Sequence, residues 1–332
     1  MPVRHDTATQ IGSGTYAFMH LPGSWGQTNT GLVVGDDASM VIDTTWDRGR
    51  AAAIAETAAE LTTAAPITEA VNTHSDGDHW WGNDTLPPSA RITTSTASRT
   101  AMTEETPPGA VSRFSKLGAV AGRLPGPTGA LGGYMRQVTG GADLPTRVPR
   151  LPDHTFDDTE TITVGGRITH LRTLGPAHTP GDLIAHLPDS GIVFTGDLLF
   201  IGATPVIWHG PLRNWISALD HILGLDAESY VPGHGPICGR PEIELLRTYW
   251  EWLDHTGRTH FDAGLSPLQA ARTLIQTSEF QPFAAWGEPE RIVINLSTMY
   301  RLWNGADPAP PTFGRRARAF ADAGTLQREF DS

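Results

Sequence analysis

Six consecutive residues, His74-Ser75-Asp76-Gly77-Asp78-His79, carry four side chains able to bind a metal, and they directly follow an apolar run from Ile67 to Val71. Two ligands separated by one residue lie on the same side of an extended segment. Asp78 and His79, adjacent on a turn that Gly77 lets tighten, can point in different directions. Imidazole mixed with carboxylate suits zinc, iron or manganese. It suits less well calcium, which takes only oxygen, or copper(I), which prefers sulfur. A structural zinc site is normally closed by four protein ligands that usually include Cys, and this chain has one cysteine, Cys238. The segment therefore reads as a metal site of a more open kind.

Three later segments each add one candidate in a similar setting, where an apolar strand is expected to give way to a turn. These are His178 in Gly175-Pro176-Ala177-His178-Thr179-Pro180-Gly181-Asp182, Asp197 in Phe194-Thr195-Gly196-Asp197, and His234 in Val231-Pro232-Gly233-His234. The order and context resemble the metallo-β-lactamase superfamily, whose pattern is H-x-H-x-D-H followed by a lone His, a lone Asp and a last His. The resemblance spans roughly residues 11 to 240 and takes in Thr28 to Val34 and Met40 to Asp43. One position departs from it: the second His of the motif is Asp76.

The resemblance implies a ligand set. His74 and His178 belong to a first metal with Asp76 in the altered position. Asp78, His79 and His234 belong to a second, and Asp197 bridges the two. Zinc is the expected ion, as one ion or two. Asp76 is shorter than an imidazole, so it either shifts to reach the metal, binds through water, or leaves the first site weak. Its hard anionic oxygen tilts preference toward iron or manganese. The implied chemistry is hydrolysis by a metal-bound hydroxide, with Asp78 ligating the metal and orienting the water. No serine nucleophile is needed, and no G-x-S-x-G elbow surrounds Ser75.

The expected substrate is a small molecule, a carboxylic thioester, ester or lactone. The alternatives are a polyketide cyclase/thioesterase type of enzyme, a mononuclear iron dioxygenase, or a metal-bound binding or sensor protein without turnover. Trp25, Trp80 and Trp81 are expected either at an aromatic mouth or in packing, and Tyr134 and His209 complete the candidate substrate pocket. His170 and His186 fall inside strand-like runs, and His221, His255 and His260 on helical ones, so these five are read as structural or surface residues.

A formal charge of −12, from 36 acids against 24 bases, argues against a phosphate-backbone binder and so against nucleic acid. Lys116 is the only lysine, and the Arg315, Arg316 and Arg318 cluster reads as a solvated face. Neither a signal peptide nor an apolar run long enough to span a bilayer is evident, so a cytoplasmic location without membrane association is expected. A homo-oligomer is compatible with the sequence.

Positioning the ligands requires strands at Thr15 to Met19, Thr30 to Val34, Ser39 to Asp43, Ile67 to Asn72 and Ala90 to Ser95. Further strands are expected at Thr161 to Val164, Ile168 to Leu174, Leu183 to Leu187 and Ile192 to Thr195. Helical patterns fall at Arg48 to Leu61, Thr96 to Glu105 and Leu212 to Leu223, then at Glu242 to Arg258, Pro267 to Gln276 and Pro289 to Trp303. The fold class is α+β. The resemblance makes it a metallo-β-lactamase-like αββα sandwich over residues 1–240, with a helical extension over 241–332. Residues 107–150, rich in Gly and Pro, are expected as a lid-like insertion covering the metal without holding the fold together.

Overall fold

The computed structural model describes residues 7–330. The chain opens with a meander of β1 (Ala8–Gly12), β2 (Thr15–Phe18), β3 (Thr30–Val34) and β4 (Ser39–Ile42). Helix α1 (Arg48–Leu61) then crosses to β5 (Ile67–Val71), and β6 (Arg91–Ser95) follows in parallel. After α2 (Thr96–Glu104), α3 (Pro108–Ala121) and α4 (Gly126–Thr139), β7 (His154–Phe156) completes a seven-stranded sheet in sequential order. The second sheet has five strands: β8 (Thr159–Val164), β9 (Arg167–Thr173), β10 (Leu183–Leu187), β11 (Ile192–Phe200) and β12 (Ser229–His234). Helix α5 (Leu212–Leu223) makes the crossover that lets β11 and β12 run parallel.

Two-residue alternation explains the layering. Val33, Met40 and Ile42 of the first sheet face Leu171, Ala185 and Phe194 of the second in one buried cluster. Leu32, Val41 and Ala70 point the opposite way and pack under Ile54 and Ala58 of α1. The outer face of the second sheet, with Ile184 and Val193, is covered by Trp215, Leu219 and Ile222 of α5 and by Leu246, Trp250 and Leu253 of α6 (Arg240–Asp262). The result is the αββα sandwich. Gly31 marks how close the sheets come, because a Cβ there would enter the Phe194 ring.

Beyond α6, the chain adds α7 (Pro267–Leu274), α8 (Ile292–Trp303) and α9 (Phe313–Phe330). The helical pattern expected from Pro289 is a 3-10 turn through Arg291 followed by α8. Helix α9 had no counterpart in the sequence reading. Its buried face, Ala319, Phe320, Ala323, Gly324 and Leu326, is mostly small residues that give little apolar periodicity. It lies on α4, where Gly324 faces the Ala130 carbonyl so closely that a Cβ would overlap it.

The insertion expected as a lid holds two helices that meet the rest of the molecule differently. Tyr134 and Val138 of α4 belong to the same buried cluster as Phe320 and Ala323 of α9, so α4 is part of the core. Helix α3, by contrast, buries only Pro108 and Gly118. Among the described residues no helix is long and apolar enough to cross a membrane.

Candidate metal centre

Every residue expected as a ligand arrives at one end of the sandwich, where the two sheets meet. Strand β5 delivers His74, and a 3-10 turn at Gly77–His79 turns Asp78 and His79 inward. Gly77 is required there, because a Cβ would enter the Trp81 ring. Asp197 does not end its strand as expected. Instead β11 breaks register at Gly196, which adopts φ 51°, and continues to Phe200. Gly233 lies against the Asp197 carboxylate so closely that no side chain fits between them.

The side chains converge on a buried cluster. His178 Nε2 lies 3.1 Å from Asp76 Oδ2 and 3.4 Å from Asp197 Oδ2. His234 Nε2 lies 3.4 Å from Asp78 Oδ2 and 3.3 Å from Asp197 Oδ2, and His79 Nε2 is 3.0 Å from Asp197 Oδ1. His74 Nε2 is 3.8 Å from Asp197 Oδ2, with its ring centroid 4.1 Å from that of His79. Three sets bring a ligand atom from each member within 4.8 Å of the others: His74, Asp76 and His178; Asp78, His79 and His234; and His74, His79 and Asp197. Asp76, in the altered position, is thus close enough to His74 and His178 to share a cation with them.

The donor set fits a bound cation. His74 Nε2, His79 Nε2 and Asp197 Oδ1 are buried and make no hydrogen bond, although they point toward one another. Buried polar atoms are normally paired, and a metal would pair all three at once. The opposite ring nitrogens of three imidazoles are held by the scaffold. His79 Nδ1 is 2.8 Å from Asp43 Oδ2, His74 Nδ1 is 3.0 Å from Thr73 Oγ1, and His178 Nδ1 faces the Val206 carbonyl. Such partners fix the tautomer and aim the free nitrogen. Phe200 stacks on His234 at 5.0 Å with rings nearly parallel.

Sequence reasoning missed two of the residues that hold the ligands. Asp43 sits at φ 58°, a backbone state costly for a side-chain residue. It accepts from the Thr73 amide and hydroxyl, both at 2.7 Å, as well as facing His79. Asp182 ties the His178 loop by accepting from the Thr179 amide at 2.9 Å and the Ala177 amide at 3.2 Å. A carboxylate ending an apolar strand, as Asp43 does, was the available signal.

Electrostatics divide the cluster. Burial, then the neighbouring His79, push His74 down to about 3, which keeps it neutral as a ligand must be. Burial also opposes charge on His178 and His234, but Asp76 prevails at His178 and Asp197 at His234, lifting both to about 9. For Asp197, burial favours the neutral acid, yet His234 and His79 outweigh it and hold the carboxyl well below the usual range.

The centre opens onto a cavity of about 300 Å³. Asp76, Asp78, His178, Asp197 and His234 form its polar end, and Leu131, Met135, Phe313 and Phe320 are among its apolar walls. Two of the five candidate pocket residues, Trp25 and Trp81, line it, joined by Trp46 and Trp208. The other three do not. Trp80 is buried and donates to the Ser75 carbonyl at 2.9 Å, behind the ligand turn. Tyr134 accepts from Trp25 Nε1 at 3.3 Å and donates to Glu290 at 3.2 Å, so it braces the wall. His209 borders a neighbouring crevice beside Thr179 and Pro180.

Two arginines also reach the cavity. Arg316, expected on a solvated face, is half-buried and lies over the Trp208 ring at 4.6 Å, whereas Arg315 and Arg318 remain exposed. Arg291 is buried, stacks on Trp25 at 4.1 Å, pairs with Glu288 at 2.5 Å and donates to the Thr204 carbonyl at 2.9 Å. Glu105 accepts from the Gly77 amide and Trp80 Nε1, both at 3.2 Å. Burial, then the Asp76 charge, push its carboxyl well up.

Comparison with known proteins agrees with this architecture. A sec-alkylsulfatase, Pisa1 from Pseudomonas sp., superposes with a TM-score of 0.64 at 17% identity, over 92% of this chain and 52% of that one. The metallo-beta-lactamase FIM-1 from Pseudomonas aeruginosa, in its mono-zinc form, gives 0.51 at 22% identity, over 74% of this chain and 95% of that one. These likenesses concern the fold. A curated relative, 2,4-dinitroanisole O-demethylase subunit alpha from Nocardioides sp. (strain JS1661), is 28% identical over 95 residues. That match covers 27% of this chain and 28% of the subunit, and the chain spans about half of the sulfatase. The profile described as the metallo-beta-lactamase superfamily matches residues 23–234, from the Gly after the first meander strands to the last ligand. The chain belongs to the metallo-beta-lactamase superfamily.

Proposed function

We propose that the protein is a metal-dependent hydrolase of a carboxylic ester, thioester or lactone whose acyl or alcohol part is bulky and apolar. The observation that carries this reading is the position of the buried His/Asp cluster at the polar end of an otherwise apolar cavity. His74, Asp76 and His178 would hold one ion and Asp78, His79 and His234 another, with Asp197 between them; zinc suits the set, and iron or manganese suits the Asp76 side. A bound divalent ion supplies Lewis acidity that polarises the scissile group and lowers the pKa of a water to about 7.

The chain's own residues do the rest. Asp78 is steadied by the Thr28 hydroxyl, which donates to its Oδ2 at 3.0 Å, so the carboxylate stays at the cavity floor to accept a proton from an attacking water. Trp25, Trp46 and Trp81 exclude bulk water and hold the apolar group. A second reading, hydrolysis of an alkyl sulfate ester, is favoured by Arg316, which lines the same cavity and whose charge acts on Asp76.

The test is turnover of metal-loaded protein on p-nitrophenyl esters from acetyl to dodecanoyl, acyl thioesters, lactones, a secondary alkyl sulfate and a persulfide. Preference for longer acyl chains and a loss of about 100-fold or more in kcat for Asp78→Asn are expected. Persulfide oxidation, or no turnover on the whole panel with zinc, iron or manganese, would reject the proposal.

A further inference from the structure

Helix α3 turns a stripe of apolar side chains to solvent. Phe114, Leu117 and Val120, continued by Leu124 in the turn that follows, are spaced at three and four residues, and Leu117 and Val120 are 67% and 70% exposed. Phe313 at the start of α9 extends the patch, its ring 5.0 Å from that of Phe114. A contiguous exposed apolar surface marks an interaction site.

The charge around the stripe identifies the occupant. The chain carries −12 overall, yet residues 106–142 contain no Asp or Glu and four bases, Arg113, Lys116, Arg123 and Arg136. The first three of these are exposed beside the stripe. A two-fold dimer would set this basic face against itself, which costs energy. An apolar stripe flanked by bases instead suits a surface of anionic headgroups, where the apolar side chains enter the acyl boundary and the bases meet the charge. We propose that the α3 face docks the protein on a lipid bilayer bearing anionic headgroups.

Phe114, Leu117 and Phe313 also line the metal-site cavity. Docking would therefore set the mouth of that cavity against the bilayer, so that an amphiphile reaches it without crossing bulk water. Docking itself does not depend on the hydrolase reading, because it is read as binding and not as turnover.

The experiment is co-sedimentation of the full, metal-loaded chain with phosphatidylcholine vesicles and with vesicles containing phosphatidylglycerol, at low and high salt. Binding to the anionic vesicles is expected, at least ten-fold weaker on phosphatidylcholine and weakening as salt rises. The pair Val120→Asp with Leu124→Asp and, separately, Lys116→Glu with Arg123→Glu should each reduce affinity ten-fold or more, with metal content and melting temperature unchanged. None of these four side chains lines the cavity. Equal binding to both vesicle types, no binding at low salt, or wild-type binding by both folded variants would overturn the proposal. So would a two-chain mass in solution that Val120→Asp with Leu124→Asp reduces to one, since the stripe would then belong to a second copy.

Discussion

The choice of side chain at position 76 sets what the first half of the centre can hold. Asp76 lies in hydrogen-bonding range of His178, so the shorter side chain still reaches the ligand group. An imidazole there would replace a hard anionic donor by a borderline one, so Asp76→His should raise bound zinc toward two ions per chain, and Asp76→Ala should weaken metal on the His74 and His178 side. Elemental analysis after dialysis measures both, and identical metal content in the two variants would make Asp76 a turn residue only. Asp43 acts one step away, through His79. Asp43→Asn keeps the shape but removes the charge behind the imidazole, and about a 10- to 100-fold loss of metal affinity is expected by competition with a chelating dye. The convergence of His74, Asp76, Asp78, His79, His178, Asp197 and His234 was legible because few residue types bind metal and these cluster near strand ends. Asp43 and Asp182 were not singled out, because a lone carboxylate at a turn looks the same whether it caps a loop or steadies an imidazole.

Strands β2 to β6 and β8 to β11 and the helices α1, α2 and α5 were legible because their periodicity is set by one buried face, whereas the short edge strands β1 and β7 were not. The cap was not, because α4 and α9 meet through glycine and alanine, and close backbone approach leaves no apolar period in the sequence. Gly324→Val should therefore drive α9 off α4 and lower stability by about 1–3 kcal/mol, the usual cost of overpacking, measurable by urea unfolding. The same wall contains Glu290, only 2% exposed, whose carboxyl is pushed up from 4.5 to about 7 by burial and then by Glu288. An acid with its folded pKa above its unfolded one binds the proton more tightly in the native state. The stabilising effect is thus full below about pH 4.5 and is lost as pH rises through about 7, at most about 3 kcal/mol. Glu290→Gln should flatten that decline between pH 5 and 8. An unchanged pH profile would mean that Glu290 is ionised in the folded protein.

A total charge of −12 conceals a stretch, residues 106–142, that carries four bases and no acid. At the level of the whole molecule the candidate centre plays a comparable organising part, because its ligands come from both sheets. His74, Asp76, Asp78 and His79 follow β5 of the first, while Asp197 and His234 belong to β11 and β12 of the second. A metal would cross-link the two halves at the open end of the sandwich, and it would neutralise the buried Asp78 and Asp197 and the half-buried Asp76, carboxylates that otherwise depend on imidazolium partners. A ligand that binds only the native state at 100 times its Kd contributes about 2.7 kcal/mol. In a chain of this size that amounts to roughly 5 °C in melting temperature. Exhaustive chelation should lower the melting temperature by about that much, restored zinc should recover it, and His79→Ala should melt like the chelated wild type whether or not zinc is added. Equal melting of loaded and chelated wild-type protein would mean that the two sheets hold together without the metal.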